Sequence, residues 1–162
     1  MICGVLSFPR VINEKAARTV AAVVALTGAV ALATGAHWLL VPLAYGFWAR
    51  VLAGPRFSPL AQLATKLVAP RLGEPREVAG PPKRFAQGMG AAMTTLGVVA
   101  LALGWTTVTT VLLVMLVTAA TLEAAFALCV GCQVFAALMR AGILPETVCL
   151  ECADISRRLV KA

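Results

Sequence analysis

Four of the five cysteines form two closely spaced pairs, Cys129 with Cys132 and Cys149 with Cys152. Each is a CxxC pair, which is typical of reversible thiol–disulfide exchange or of metal binding by thiolates. The two pairs are separated by 16 residues, within the roughly 15–20 residues found in four-cysteine zinc sites. The fifth cysteine, Cys3, stands alone and receives no role.

The position of the first pair relative to a predicted helix favours redox chemistry. Residues Gln133–Ala141 have a helical pattern, with Gly142 as a C-terminal cap. If the preceding apolar stretch breaks near Gly131, Cys129 and Cys132 fall at the start of this helix. The positive end of the helix dipole stabilises a thiolate there, and the second cysteine can resolve a mixed disulfide. Cys129 is therefore predicted to be the attacking thiol and Cys132 the resolving thiol.

The second pair is predicted to act as a relay that folds back beside the first. It follows Leu144-Pro145-Glu146, which is typical of a helix start. A chain reversal at Gly142 would bring Cys149 and Cys152 toward the membrane and bury their apolar neighbours. The same fold-back would let all four cysteines close a tetrahedral zinc site, which is the alternative interpretation. In a third interpretation the cysteines pack only as small apolar residues.

The composition indicates that these cysteines belong to a membrane protein. Apolar residues make up 60% of the 162 residues and charged residues 13%, against about 45–50% and 25% in soluble domains. A soluble chain this short could not bury so much apolar surface. We expect an all-α integral membrane protein with one membrane domain over residues 1–162 and four transmembrane helices. Apolar runs place the spans at about residues 19–36, 38–54, 85–104 and 109–128.

The basic residues predict how these spans are oriented. All 14 lysines and arginines lie before the first span, between the second and third, or after the fourth. The positive-inside rule then places both termini and the central loop in the cytoplasm. This explains the net charge of +7 without nucleic-acid binding. The first apolar run is too long for a typical cleaved signal peptide. The cysteine pairs would face the reducing cytosol, where permanent disulfides are rare.

The central cytoplasmic segment, residues 57–84, is predicted to contain a short amphipathic helix on the membrane surface. Ser58 can cap this helix and Pro59 suits its first turn. Leucines on one face would contact the lipid, and a linker rich in proline and glycine would lead to the third span. The Cys-rich cytoplasmic tail is assigned to residues 129–162. The predicted lipid-facing positions are Leu60, Leu63, Leu67 and Val68.

Small residues at four-residue spacing predict close helix packing within the membrane, either inside one chain or between two copies. This pattern predicts which faces of the first and third spans lie against other helices. The positions are Ala21, Ala25, Ala29 and Ala33 in the first span and Gly88, Ala92 and Gly97 in the third.

Glu123 is the only acidic residue inside an apolar span, and such residues are candidates for function. A role in proton transfer is the functional hypothesis, and snorkelling to the nearby membrane surface is the alternative. On a straight helix Glu123 would point away from Cys132, nine residues further along.

Several segments resemble a bacterial membrane family known as domain of unknown function 4395. The most specific match is Ala124-Ala125-Phe126-Ala127-Leu128-Cys129-Val130-Gly131-Cys132, and many relatives share a tail like Val148-Cys149-Leu150-Glu151-Cys152-Ala153-Asp154. This chain has Glu123 where asparagine is expected in relatives. The other matching stretches are Phe8-Pro9-Arg10, the segment from Ser58-Pro59-Leu60 to Pro70-Arg71-Leu72-Gly73, and Pro82-Lys83-Arg84-Phe85-Ala86-Gln87.

The resemblance implies a multi-pass protein of the bacterial inner membrane, associated with thioredoxin-like proteins and sulfurtransferases. The resulting hypothesis is a dithiol/disulfide protein that passes electrons or sulfane sulfur to or from such a partner, without a bound cofactor. The alternative is a non-enzymatic scaffold or transport component with a structural zinc site formed by Cys129, Cys132, Cys149 and Cys152.

Overall fold

The computed structural model describes residues 11–54, 57–74 and 76–143. Cys129 and Cys132 lie within these ranges, whereas Cys3, Cys149 and Cys152 lie outside them. The predicted fold-back of the second pair therefore stays a prediction. The structure is mostly helical, as expected. Its helices are α1 (Glu14–Thr34), α2 (Leu40–Ala53), α3 (Pro59–Leu63), α4 (Gly80–Ala102), α5 (Thr106–Phe126) and α6 (Val130–Arg140).

Three helices in the described part of the chain are long and apolar enough to cross a membrane, namely α1, α4 and α5. Helix α2 covers most of the predicted second span but has only 14 residues. At 1.5 Å per residue it is about 21 Å long, which is shorter than the roughly 30 Å hydrocarbon core. A 3₁₀ turn at His37–Leu39 precedes it. The fourth crossing thus stays a prediction.

The four long helices run antiparallel to their neighbours. Helix α1 packs against α5, α5 against α4, and α4 against α2. Arg18 near the start of α1 contacts the carbonyl oxygen of Ala124 near the end of α5, and Arg50 near the end of α2 contacts Gln87 near the start of α4. These contacts bring the start of α1, the end of α2 and the last turn of α5 together at one end of the bundle.

The prediction of which small residues are packed holds for part of each stripe, since Ala21 is buried and Ala25 packs against the core. Ala29 and Ala33 of α1 are exposed, and the buried face contains Gly28, where an added Cβ would lie 2.5 Å from Cγ2 of Val117. In α4, Ala92 is exposed and Gly97 is buried, as Gly97 faces Leu40. The four-residue spacing drifts around a helix with 3.6 residues per turn, so the ends of such a stripe leave the interface.

A short two-stranded sheet accompanies the otherwise helical fold. Strand β1 (Val11–Asn13) pairs antiparallel with β2 (Glu77–Ala79). Directly beside it, Arg76 forms an ion pair with Glu14 at 3.1 Å. The predicted irregular linker is thus shorter than expected, because α4 already begins at Gly80. The first turn of α4 contains prolines, which fit there because the N–H groups of a first turn have no partner within the helix.

The central segment does form a helix capped by Ser58, whose hydroxyl accepts a hydrogen bond from the Ala61 N–H at 3.4 Å. Helix α3 continues as a wider turn over Ala64–Val68 and a 3₁₀ turn over Ala69–Leu72. Its alanines are buried and the segment packs on α1. Leu60, predicted to face the lipid, instead packs against the core. Leu63 and Leu67 are exposed. These two leucines are therefore directed away from the protein core, and their contact with a membrane surface stays a prediction.

Candidate functional site

The site is created by a sharp break between α5 and α6. Ala127 adopts the left-handed conformation, with φ of 57°, and ends α5 with a reversed turn in which the Leu128 N–H donates to the Leu122 carbonyl oxygen at 3.2 Å. The guanidinium of Arg18 donates to the carbonyl oxygens of Ala124 and Ala125. These carbonyls would otherwise lack partners at the helix end. Arg18 thereby fixes the turn that carries the cysteines.

Cys129 is the N-terminal cap of α6. Its Sγ accepts a hydrogen bond from the Cys132 N–H at 3.3 Å, and both cysteines are free thiols. The expected chain break and the location of the pair at a helix start are thus observed. The helix begins at Val130, three residues before the predicted start, and the left-handed Gly142 follows its end. Cys129 is buried and Cys132 is partly exposed.

Helix α6 lies directly on the first part of α4. Gly131, between the two cysteines, packs so closely that an added Cβ would lie 2.6 Å from the Cα of Ala86. The rings of Phe85 and Phe135 pack beside this contact with their centroids 5.6 Å apart. The glycine of the CxxC sequence therefore determines how closely the cysteines approach α4.

The pKa values of the two thiols shift in opposite directions. The side-chain hydrogen bond from Cys132 lowers the pKa of Cys129 below its ordinary value of 9.0, and the charge of Lys83 and the Cys132 N–H act in the same direction. The same hydrogen bond raises the pKa of Cys132, and burial adds to the increase. Cys129 is therefore the thiol that ionises first, and its role as the attacking thiol stays a prediction.

A buried ion pair lies beside the cysteines. The ammonium of Lys83 in α4 contacts Oε1 of Glu123 in α5, and the charges of both residues act on both cysteines. The expectation from a straight helix, that Glu123 points away from the pair, was wrong because the break at Ala127 turns α6 back toward α4. The exposed fractions of the two side chains are 8% and 14%, so snorkelling into water does not describe Glu123.

A cavity of about 80 Å³ adjoins Cys129 and Glu123 of this ion pair, between α1, α2, α4, α5 and the start of α6. Arg50 of α2 lines it and is only 5% exposed. The Nε of Arg50 donates to Gln87 at 2.7 Å, and its guanidinium carbon lies 4.6 Å from the centre of the Phe47 ring. The site therefore combines a dithiol, an ion pair and a second buried cation.

In the sequence, Lys83, Arg50 and Arg18 indicate only how the spans are oriented, and their place in this site was not predicted. Arg50 interrupts an apolar run, and an ionisable residue in such a position is a signal of function. Lys83 gave a weaker signal because it lies at the edge of its span, and Arg18 gave none.

The described residues contain no group of three or more potential metal ligands. The predicted zinc site uses four cysteines, of which Cys149 and Cys152 lie outside the described residues. A zinc ion on Cys129 and Cys132 would need both thiols deprotonated and two further ligands. The zinc interpretation thus stays an untested alternative.

We expect the alkylation of Cys129 to depend on a hydrogen-bond donor at position 132. Iodoacetamide reacts with the thiolate, so a lowered pKa keeps Cys129 reactive at a pH where an ordinary thiol is protonated. Cys132→Ala removes the side-chain donor, and the midpoint of the pH–rate profile should rise toward 9.0. Cys132→Ser keeps a hydroxyl donor, and its midpoint should stay below that of Cys132→Ala. Equal midpoints in the two variants would contradict the assigned role of this hydrogen bond.

Comparisons with known proteins identify a family. The family model described as "Domain of unknown function (DUF4395)" matches residues 12–140, which include the first cysteine pair, Lys83, Arg50 and Glu123. No curated protein and no solved structure matches the chain.

Proposed function

The chain belongs to the family described as Domain of unknown function (DUF4395), and from its cysteine site we propose that it is a membrane dithiol/disulfide protein. It relays electrons or sulfane sulfur to or from a thioredoxin-like protein or a sulfurtransferase. The observation that carries the proposal is the position of Cys129, which caps α6 and accepts the Cys132 N–H. Thiolates at helix starts, with a second cysteine one turn later, are suited to disulfide exchange.

The electron relay proceeds in two exchange steps. The Cys129 thiolate attacks a partner disulfide, which forms a mixed disulfide and releases one partner thiolate. Deprotonated Cys132 then attacks the Cys129 sulfur, which forms the Cys129–Cys132 disulfide and releases the second partner thiolate. Two electrons pass to the partner, whose thiolates take up the two protons lost by the cysteines. Reversal of both steps reduces the chain.

Transfer of sulfane sulfur requires Cys129 alone in its first step. Its thiolate attacks the outer sulfur of a partner persulfide, which forms a persulfide on Cys129 and releases the partner thiolate. The reaction moves one sulfur atom, and no external oxidant or reductant is consumed. Cys149 and Cys152, which lie outside the described residues, are proposed as the relay pair that exchanges electrons or sulfur with Cys129 and Cys132.

Lys83 and Glu123 are proposed to adjust the protonation of the dithiol. The charge of Lys83 favours thiolates at both positions, whereas that of Glu123 opposes them. Because Cys132 must lose a proton before it can attack, Glu123 is the carboxylate that we assign to accept this proton. Glu123 would then have the acid–base role, while the cysteine sulfurs act as nucleophiles.

The proposed location is the bacterial inner membrane, with four crossings and the cysteines on the cytoplasmic side. The contacts between α1 and α5 and between α2 and α4 support this orientation, since they gather Arg18, Arg50 and Lys83 at the end of the bundle that carries the cysteines. The positive-inside rule assigns such an end to the cytoplasm. Labelling of Cys132 from outside intact cells would contradict this orientation.

The test of function is a trapping experiment in cells. Cys132→Ser prevents resolution, so a mixed disulfide between Cys129 and the partner should accumulate and disappear on reduction. The matched control is Cys129→Ser, which keeps Cys132 but lacks the attacking thiol and should trap no partner. Mass spectrometry of the trapped species should identify a thioredoxin-like protein or a sulfurtransferase.

Two results would overturn the proposal. One is the absence of a trapped species together with cysteines that stay reduced in cells under oxidising and reducing growth conditions. The other is the recovery of gently purified protein with one zinc ion bound by all four paired cysteines, which would support the scaffold or transport alternative.

A further inference from the structure

The cavity between the helices is lined by both a cysteine and a carboxylate. Of the two described cysteines, Cys129 lines it and Cys132 does not, and Glu123 lines it as well. Cys129 is only 8% exposed, so a molecule that reacts with its sulfur from this side has to be inside the cavity. A carboxylate can take up a proton from a bound molecule. The cavity therefore offers a sulfur atom and a base to one small reactant.

The volume of the cavity limits the size of that reactant. It is about 80 Å³, and a single water molecule needs roughly 10–15 Å³ on the same measure. A molecule with one or two heavy atoms therefore fits beside Cys129, whereas a peptide or glutathione does not fit. The reactant on this side of the cysteine is thus a small molecule and not a side chain of a protein partner.

The lining of the cavity favours a neutral reactant. Most of the lining residues are apolar, including Val20, Met93 and Leu116, and an ion loses its hydration in such surroundings at a high cost. Arg50 and Glu123 also line the cavity, and their opposite charges leave no net charge to hold an ion. Hydrogen sulfide has one heavy atom and is neutral and weakly acidic. Its sulfur becomes a nucleophile once a base removes a proton.

We propose that the cavity is a binding site for hydrogen sulfide, which the Cys129–Cys132 disulfide oxidises to sulfane sulfur. The inference rests on the proposed function, because the electron relay forms this disulfide and the sulfur relay carries the product away. It adds a substrate that enters through the cavity and needs no protein partner. It also joins the two relays, because oxidation of sulfide consumes the disulfide and produces the persulfide.

The reaction needs one proton transfer and one exchange of sulfur–sulfur bonds. Glu123 accepts a proton from H₂S, and HS⁻ attacks the sulfur of Cys129, which forms a persulfide while the bond to Cys132 breaks. A hydrogen bond with Cys129 and burial raise the pKa of the Cys132 thiol, so the departing sulfur takes up the proton that Glu123 accepted. With the sulfane sulfur counted as zero-valent, two electrons pass from the sulfide to the disulfide. The products are the Cys129 persulfide and the Cys132 thiol.

The test is the reaction of the oxidised full-length protein, in nanodiscs, with ³⁵S-labelled sulfide. Wild-type protein oxidised with diamide should take up one labelled sulfur on Cys129, located by mass spectrometry and released by cyanide as thiocyanate. Reduced protein should take up none, because it lacks the disulfide. Ala120→Leu fills part of the cavity and should slow the uptake by about tenfold or more, because a displaced reactant reacts far more slowly. Ala92→Leu makes the same change at an exposed position and should react like wild type.

Reduction of the same disulfide by glutathione is the second measurement. Glutathione does not fit the cavity and reaches the disulfide at the partly exposed Cys132, so its rate should be equal in wild type and Ala120→Leu. This equality also shows that the variant is folded. If Ala120→Leu does not fold, Ala17→Leu replaces it at a half-buried position that also lines the cavity. No label on Cys129 of wild type, or equal uptake of sulfide by wild type and a folded cavity-filling variant, would overturn the proposal.

Failure of this proposal and failure of the proposed function give different results. A protein that traps a partner through Cys129 but takes up no labelled sulfide has the exchange function without the sulfide site. A protein whose cysteine pair forms no disulfide, and which also traps no partner, has neither.

Discussion

Glu123→Gln should lower the free energy of unfolding by about 3–5 kcal/mol, because it leaves the ammonium of Lys83 buried without its counter-ion. Both side chains are largely inaccessible to water, so neither charge can be satisfied by solvent without local opening. Lys83→Met should have an effect of similar size, since it leaves the Glu123 carboxylate unpaired. Chemical denaturation of the purified protein in detergent micelles measures both effects.

The matched control is the double variant Lys83→Met/Glu123→Gln, which removes both charges together. It should recover most of the stability lost in each single variant, because no unpaired ion remains.

The two single variants should also move the midpoint of the pH–rate profile for Cys129 alkylation in opposite directions. Lys83 lowers the pKa of Cys129 and Glu123 raises it, so the midpoint should rise in Lys83→Met and fall in Glu123→Gln. Shifts of equal sign would contradict the proposed electrostatic coupling.

Gly131→Ala should destabilise the docking of α6 on α4 by about 1–3 kcal/mol, the usual cost of overpacking. The added Cβ would lie 2.6 Å from the Cα of Ala86, a backbone atom that cannot move aside as a flexible side chain can. Helix α6 must therefore shift, which separates Cys129 from Lys83. We expect earlier thermal unfolding and a higher midpoint for Cys129 alkylation.

Gly88→Ala in α4 is the control for this substitution. It makes the same chemical change within a helix, but nothing lies within 4 Å of the added Cβ. This variant should be neutral or more stable by up to about 1 kcal/mol, because alanine favours the helix. If Gly131→Ala behaves like Gly88→Ala in both measurements, the close contact with α4 does not position the cysteine pair.

Local patterns in the sequence were sufficient to predict most of the secondary structure. Long apolar runs with little or no charge predicted α1, α4 and α5, because a helix satisfies its own backbone groups in lipid. Ser58 followed by Pro59 predicted the start of α3. The sequence also predicted that the Cys129 pair lies at a helix start and that Gly142 follows the end of that helix. These features depend on neighbours within one or two helical turns, which is why a single sequence contains them.

Contacts between distant helices were decided only by the tertiary structure. Lys83 and Glu123 are 40 residues apart, and they meet because α4 and α5 are antiparallel neighbours in the bundle. The sequence placed Glu123 in an apolar span. Glu123 faces the cysteines because the chain breaks at Ala127, and Arg18 from α1 holds this break. The sequence by itself determined that the cysteine pair and Glu123 could carry chemistry and which helices hold them. The packing of α6 on α4, and the desolvation that makes each buried charge require a partner, decided which of those residues form one site.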